Sequence, residues 1–257
     1  LTAAFEEVAR STRGPVVACV DDDGAHRLAS AVGAVTYGTS PEAVWQIREL
    51  DTRGGHVRFN LRGHGDEVSV AVPRPGKHIA LNAAGVIALL AESGFSPADV
   101  AAGFADFQGV RRRFESRGRI NGVSVIDDYA HHPTEVAATV AAARAQHDGR
   151  VIAAFQPHRY SRTEEHWEAF GPALAGADIV VVTDVYAAGE KPIPGVTGAL
   201  VAQSARAAGA ETVYVPLRSE LAAAVAGVLS PDDLLLTLGA GDVTGLATEL
   251  IALRELP

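Results

Sequence analysis

The chain has a single cysteine, no methionine and only two lysines among its 22 basic residues. One cysteine cannot form an intrachain disulfide, so a reducing cytoplasm is the expected home. Cys19 lies in the apolar run Val16-Val17-Ala18-Cys19-Val20 and is expected to be a small buried hydrophobe. Nothing near it suggests a nucleophile, and no serine stands in a G-x-S-x-G elbow. Without methionine there is no initiator, and the chain opens directly into the amphipathic stretch from Leu1 to Val8; a fragment or a processed chain is expected. No apolar run reaches the roughly 20 residues that a membrane helix needs, so no membrane partner is expected.

Two phosphate-binding signatures are also missing. No G-x-x-x-x-G-K-[ST] loop occurs; Gly76-Lys77-His78 comes nearest but lacks the leading glycine and the hydroxyl. The turn Gly239-Ala240-Gly241-Asp242-Val243 has Thr244 where a dinucleotide fingerprint needs its third glycine, and it follows the last predicted strand rather than the first. Tight strand–helix packing explains it without a ligand. Positive charge is scarce as well: the formal net charge of −9 argues against a nucleic-acid partner. The exception is Arg111-Arg112-Arg113 with Arg117 and Arg119, interrupted by Glu115. It reads as a local phosphate contact with solvated surface around it.

What is present describes a soluble globular α/β protein. At 257 residues, 47% apolar and 21% charged, the chain is long enough for two modest domains. The first part predicts a helix over Thr2–Ser11, a strand over Pro15–Val20, a short helix near Ala25–Ala31 and a strand over Ala34–Gly38. Alternation in Val44–Leu50, His56–Leu61 and Glu67–Val72 predicts an antiparallel meander. A helix over His78–Ser93 is expected to bury Ile79, Leu81, Val86, Leu89 and Leu90. Ser96-Pro97 opens another helix, reaching Phe107. Gly109 marks a domain boundary, giving residues 1–109 and 110–257. After it, strands at Arg113–Ser116, Val123–Asp127, Val151–Phe155, Ile179–Thr183, Thr212–Val215 and Leu234–Leu238 alternate with helices at Thr134–Gln146, Thr163–Leu174, Val196–Ala208, Ser219–Leu229 and Val243–Leu253. That rhythm predicts a doubly wound, Rossmann-like, mostly parallel six-stranded sheet.

Two strand ends are unusually polar. The apolar Val125-Ile126 runs into Asp127-Asp128-Tyr129-Ala130-His131-His132-Pro133-Thr134-Glu135, and Val151–Phe155 runs into Gln156-Pro157-His158-Arg159-Tyr160-Ser161-Arg162-Thr163. Open α/β sheets place ligand crevices at such carboxyl ends. His131, His132 and His158 with Asp127 and Asp128 allow two readings, a zinc site or hydrogen bonding to an anionic substrate. Adjacent His131 and His132 point to opposite sides of an extended backbone, which favours the second, with no metal ligand assigned. Arg159 and Arg162 directly after a strand end suit bidentate capture of a carboxylate or phosphate.

Taken in order, Arg111-Arg112-Arg113-Phe114-Glu115, the two polar strand ends, Tyr186-Ala187-Ala188-Gly189-Glu190 and Leu238-Gly239-Ala240-Gly241-Asp242 resemble the Mur ligases over nearly the whole chain. The resemblance implies the latter part of a central ATP-binding domain, its phosphate loop missing, followed by a complete amino-acid- and nucleotide-binding domain. It implies an ATP-dependent, amide-forming ligase of peptidoglycan-precursor synthesis. Gln156-Pro157-His158-Arg159-Tyr160 is similar to the branch that joins L-alanine to the muramoyl carboxylate of UDP-N-acetylmuramate through an acyl phosphate. ATP and Mg2+ are implied, the metal ligands mainly in the missing part, and this chain alone is expected to be inactive. His78 and Asn82 are implied near adenine, although the family's His-Asn pair is His78-Ile79 here. Arg113 is implied at nucleotide phosphate or ribose and Asp128 at ribose. Tyr129, His131, Arg159 and Arg162 are implied around alanine and the muramoyl carboxylate, with His158 orienting the acyl phosphate. Catalytic roles fall to His131, His158 and Arg159; which histidine, if any, is a base stays open, as does the oligomeric state. The alternative is a non-catalytic substrate- or nucleotide-binding module derived from such a ligase. A dehydrogenase is a distant third, because the glycine fingerprint fails.

Overall fold

A computed structural model describes residues 2–253 as two compact units that divide between Gln108 and Gly109. No helix among the described residues is long and apolar enough to cross a membrane.

The first unit runs α1 (Thr2–Ser11), β1 (Val17–Cys19), α2 (Asp23–Val32), β2 (Val35–Gly38), β3 (Trp45–Asp51), β4 (Val57–Gly63), β5 (Asp66–Val72), α3 (Lys77–Glu92) and α4 (Pro97–Ala102). Its sheet has the order β1-β2-β3-β4-β5, parallel from β1 to β3 and antiparallel from β3 to β5. Alternation does what period-2 patterning requires: Val57, Phe59 and Leu61 of β4 point inward while Arg58 and Arg62 face out.

Three expectations need correction. The face that α3 buries is Ala80, Ala83, Ala84, Ile87 and Ala88, whereas Val86 and Leu89 are exposed. Small residues win because the helix lies close to the sheet; a Cβ on Gly85 would meet the Tyr37 ring at 2.8 Å. The helix from Pro97 stops at Ala102, followed by Gly103, a poor helix former, with Ala101 its one buried side chain. Cys19 is only partly buried, since β1 ends the sheet and is covered along one edge.

The second unit runs β6 (Glu115–Ile120), β7 (Val123–Asp128), α5 (Pro133–Arg144), β8 (Val151–Phe155), α6 (Tyr160–Leu174), β9 (Ile179–Thr183), α7 (Gly198–Ala207), β10 (Glu211–Val215), α8 (Leu221–Val228), β11 (Leu234–Leu238) and α9 (Leu246–Ala252), with 3-10 turns leading into α8 and α9. The sheet order is β10-β9-β8-β11-β7-β6. All neighbours are parallel except β6, which runs antiparallel to β7. The six-stranded, mostly parallel sheet is therefore as expected. The first strand is displaced from Arg113–Ser116 to Glu115–Ile120 because Arg112 and Phe114 both take positive φ, 56° and 50°, which breaks extended backbone there.

Both faces of this sheet are covered. Side chains of α5, α6 and α7 pack on one face with Val151, Ala153 and Phe155; α8 and α9 pack on the other with Ile152 and Ala154. This is why the central strands are unbroken apolar runs rather than alternating ones. Phe155 meets Phe170 at 4.9 Å between ring centroids, each side chain contributing about 1.5–3 kcal/mol by burial. Strand β11, last in sequence, enters between β7 and β8. Register then sets Leu238 beside both Asp128 and Phe155, and Phe155 beside Val182 of β9. The polar segments that follow these strands leave from one level edge.

Candidate active site

Four segments converge at that edge. After β7 the chain passes Tyr129, Ala130 and His131, and His132 caps α5 ahead of Pro133 and Glu135. After β8 it passes Gln156, Pro157 and His158, and Arg159 starts α6 with φ 72° and ψ 137°. Beyond β9, Tyr186 pairs with His158 as an added parallel bridge, with its amide donating to Pro157 O at 2.8 Å and its carbonyl accepting from Arg159 N at 2.9 Å. Gly239 and Gly241 close the floor after β11. A Cβ on Gly239 would lie 2.8 Å from Gln156 O, and one on Gly241 would strike the Gln156 amide and Tyr186. Close packing against Gln156 and Tyr186 leaves no room for a side chain at either glycine.

Four rings form a row across the strand ends. Tyr129 meets His131 edge-on at 5.2 Å; His131 lies 5.7 Å from His158; His158 stacks on Tyr186 at 5.7 Å with only 12° between planes. His131 Nδ1 is 2.9 Å from the Tyr129 carbonyl, and Arg162 Nη1 donates to His158 Nδ1 at 3.2 Å. Burial pushes the His158 imidazole below its ordinary value, helped by the positive fields of His131, Arg162 and Arg159. His132 goes the other way from its neighbour, meeting His166 of α6 at 5.0 Å.

Cationic groups flank the row at both ends. Half-exposed Arg159 has its Nε 3.7 Å from Glu190. Ser161 holds Glu190 through its hydroxyl at 2.7 Å and its amide at 3.0 Å, and these bonds keep that carboxyl below its ordinary value. The guanidinium carbons of Arg112 and Arg113 lie 4.8 and 5.6 Å from the centre of the Tyr129 ring. Arg113 also reaches Glu135 at 3.4 Å. A non-glycine residue at φ 72° is strained by about 1–3 kcal/mol. At Arg159 this conformation accompanies a guanidinium held beside Glu190.

Beneath this layer the carboxylates hold the fold. Asp127, fully buried, accepts from Thr237 at 2.6 Å and Thr244 at 2.7 Å, with Arg112 Nε 3.5 Å away. Asp128 is 4% exposed and accepts from the Phe114 and Ala130 amides, both at 2.7 Å. Burial pushes its carboxyl above the ordinary value in spite of those amides. Arg112 Nη2 donates to the carbonyls of Gly239 at 2.6 Å and Gly241 at 3.3 Å. Gln156 spans Asp242 at 2.7 Å and the Val243 amide at 3.1 Å, and Asp242 also accepts from Arg218 at 3.2 Å.

The second unit thus brings together Tyr129, His131, His158, Arg159 and Arg162, with Arg113 and Asp128 beside them. His78 and exposed Asn82 stand one helical turn apart on α3 of the first unit. Sequence reasoning overlooked Arg112, Glu135, Gln156 and Asp242 as individuals. Glu135 had a visible signal, since an acid at the third helical position suggests a capping box; the bonds of Arg112 to Gly239 and of Gln156 to Asp242 span 127 and 86 residues. Of the basic cluster, Arg112, Arg113, Arg117 and Arg119 each pair with a carboxylate. Among the described residues no group of three or more His, Cys, Asp or Glu side chains is placed to hold a metal ion.

Glu135 accepts from the amides of His131 at 3.1 Å and His132 at 3.3 Å. Burial alone would raise its carboxyl, but these amides with His131 and Arg113 hold it below the ordinary value. A depressed folded value contributes stability above the unfolded value and loses it as pH falls through the folded one. Glu135→Ala should therefore cost about 1 kcal/mol at neutral pH. The difference from wild type should shrink on acidification below pH ~4, as urea unfolding across pH would record.

The model of the "Mur ligase, glutamate ligase domain" family matches residues 112–241, half of the chain. The chain is 44% identical over 245 residues to the UDP-N-acetylmuramate–L-alanine ligase of Anaeromyxobacter dehalogenans, covering 94% of this chain and 54% of the relative. It is 45% identical over 251 residues to the ligase of the same name from Acidothermus cellulolyticus, covering 94% and 53%. Among solved structures, the UDP-N-acetylmuramate–alanine ligase of Thermotoga maritima matches with a TM-score of 0.78 at 28% identity, over 99% of this chain and 54% of that one. The chain spans about half the length of the curated relatives it matches.

Proposed function

The chain belongs to the Mur ligase family, and on that footing we propose that it is part of an ATP-dependent ligase joining L-alanine to the muramoyl carboxylate of UDP-N-acetylmuramate. The reading is carried by one observation: the row Tyr129–His131–His158–Tyr186, flanked by Arg159 and Arg162, at the level carboxyl edge of a doubly wound sheet. It is supported by the activity in the names of relatives 44–45% identical to this chain. Residues from Gly109 onward serve as the amino-acid- and nucleotide-binding domain, and those before it as the latter part of an ATP-binding domain.

In this reading ATP phosphorylates the muramoyl carboxylate, the amine of L-alanine attacks the acyl phosphate, and phosphate leaves. Such chemistry depends on positioning and charge neutralisation more than on covalent help from the protein. Arg159 and Arg162 hold carboxylate; Tyr129 and His131 line the alanine pocket; His158 orients the acyl phosphate. Arg113 takes nucleotide phosphate or ribose, and His78 and Asn82 serve adenine. Asp128 is committed to two backbone amides, so it aids ribose binding by holding the turn that carries Arg113. The described residues offer no metal cluster, and no step is assigned to Mg2+ through them.

The test is product analysis by mass spectrometry. Full-length protein given ATP, Mg2+ and UDP-N-acetylmuramate with equal L-alanine, L-serine and glycine should yield the alanyl product predominantly, and this chain alone should yield none. Product from this chain alone would contradict the assignment of the phosphate-transfer machinery to other parts of the protein. A folded full-length protein that binds these substrates without joining them would favour the binding-module reading.

A further inference from the structure

The two histidines at the centre of the row are held in opposite tautomers. A backbone carbonyl can only accept, so the contact of His131 Nδ1 with Tyr129 O at 2.9 Å places the proton on Nδ1. Neutral His131 then carries its lone pair on Nε2. A guanidinium can only donate, so Arg162 at 3.2 Å requires the lone pair of His158 on Nδ1. Neutral His158 then carries its proton on Nε2. The ring planes are fixed too, by Tyr129 edge-on to His131 and by Tyr186 flat against His158. Charged groups facing the pair are Glu135 on α5, beside Arg113, then Arg159 and Arg162 on α6 and Glu190 beyond β9.

We propose that this opposition divides the proton work of amide formation: His131 Nε2 accepts a proton from the incoming amino group, and His158 Nε2–H donates a hydrogen bond to the departing phosphate. Arg162, Tyr186 and the Tyr129 carbonyl are the positioning groups. The assignment rests on the ligase reading above. The amino acid arrives as an ammonium ion, and one proton passes from its nitrogen to His131 Nε2. The freed lone pair forms the C–N bond at the acyl carbon. The C–O bond to phosphate breaks, and its electron pair leaves with the phosphate. A second proton follows from nitrogen to phosphate, which departs as hydrogen phosphate, and His131 returns its proton to solvent. His158 keeps its proton throughout. Depression of the His158 value keeps that ring neutral, the form in which Arg162 can bond it.

Long-range proton–nitrogen NMR spectra of the full chain, labelled at its histidine nitrogens, report tautomers without any substrate. With signals assigned through His131→Gln and His158→Gln, His131 should be protonated on Nδ1 and His158 on Nε2 at pH ~8, above ordinary imidazole values. In Arg162→Leu, His158 should lose its preference while His131 keeps its own. The same tautomer at both positions would overturn the proposal. A kinetic arm in the full-length enzyme adds an asymmetry. A glutamine amide can supply the donor at the Nε2 position but cannot act as a base. His158→Gln should therefore recover about tenfold over His158→Ala, whereas His131→Gln and His131→Ala should both lose about a hundredfold. Equal recovery at the two positions overturns the division of roles. A full-length protein that forms no amide overturns the ligase reading and the proton roles with it. A protein that forms amide with matching tautomers overturns this assignment alone.

Discussion

Arg159→Ala in the full-length protein is expected to lower kcat/KM for L-alanine by about a hundredfold or more while changing the ATP dependence little. A charge-assisted hydrogen bond contributes about 1.5–3 kcal/mol, and the substrate carboxylate left without its partner adds to the loss. Nearly 3 kcal/mol corresponds to that hundredfold. The effect should fall on the amino acid because Arg159 starts α6 beside His158 and Glu190, whereas Arg113, assigned to nucleotide, sits beyond Tyr129. Arg159 also carries backbone strain at φ 72°, and a glycine control separates strain from charge. Arg159→Gly should be more stable than Arg159→Ala by about 1 kcal/mol, since glycine adopts that φ freely, yet be equally defective toward alanine. Steady-state kinetics with alanine and ATP varied in turn, beside denaturant unfolding of both variants, measure all three. An unchanged alanine dependence would remove Arg159 from the pocket.

Arg112→Leu is expected to destabilise the chain by about 3 kcal/mol. Its guanidinium lies 3.5 Å from the fully buried carboxylate of Asp127 and caps the carbonyls of Gly239 and Gly241. Breaking one side of a buried pair costs about 3–5 kcal/mol because a buried charge is left behind. The lower end applies: Nε is near Asp127 without an aligned hydrogen bond, and Thr237 and Thr244 still solvate that carboxylate. Arg112→Leu with Asp127→Asn should recover part of the loss, because the uncompensated charge is gone. Urea unfolding of the single and double variants decides it; a loss under about 0.5 kcal/mol in the single variant would show that Asp127 is satisfied by its hydroxyls alone.

The contrast between these two arginines shows what the sequence makes legible. Arg159 could be singled out because it follows an apolar run at a strand end, a purely local pattern. Val151–Phe155, Ile179–Thr183 and Leu234–Leu238 were likewise readable to the residue, since strands buried on both faces are plain apolar runs bounded by turns. Arg112 looked like one member of a basic cluster. Its task depends on carbonyls 127 and 129 residues away, brought near by the entry of β11 between β7 and β8. Periodicity carries no information about which distant strands pair. The same limit hid Gln156 and Asp242, whose bond spans 86 residues. In the first unit α3 departs from its apolar pattern for another reason. Large apolar residues were expected to define the buried face, but close helix–sheet approach selected the alanine stripe and left Val86 and Leu89 outside.

Phosphate release reports on ligation at the strand-end edge of the second unit. It should be followed with ATP, Mg2+ and UDP-N-acetylmuramate, with and without L-alanine, for the full-length protein and for this chain. Release by the full-length protein should rise with L-alanine, and this chain should release none. A folded full-length protein that releases no phosphate, or releases it without regard to L-alanine, would contradict the claim that the Tyr129–His131–His158–Arg159 edge receives an amino acid for ligation.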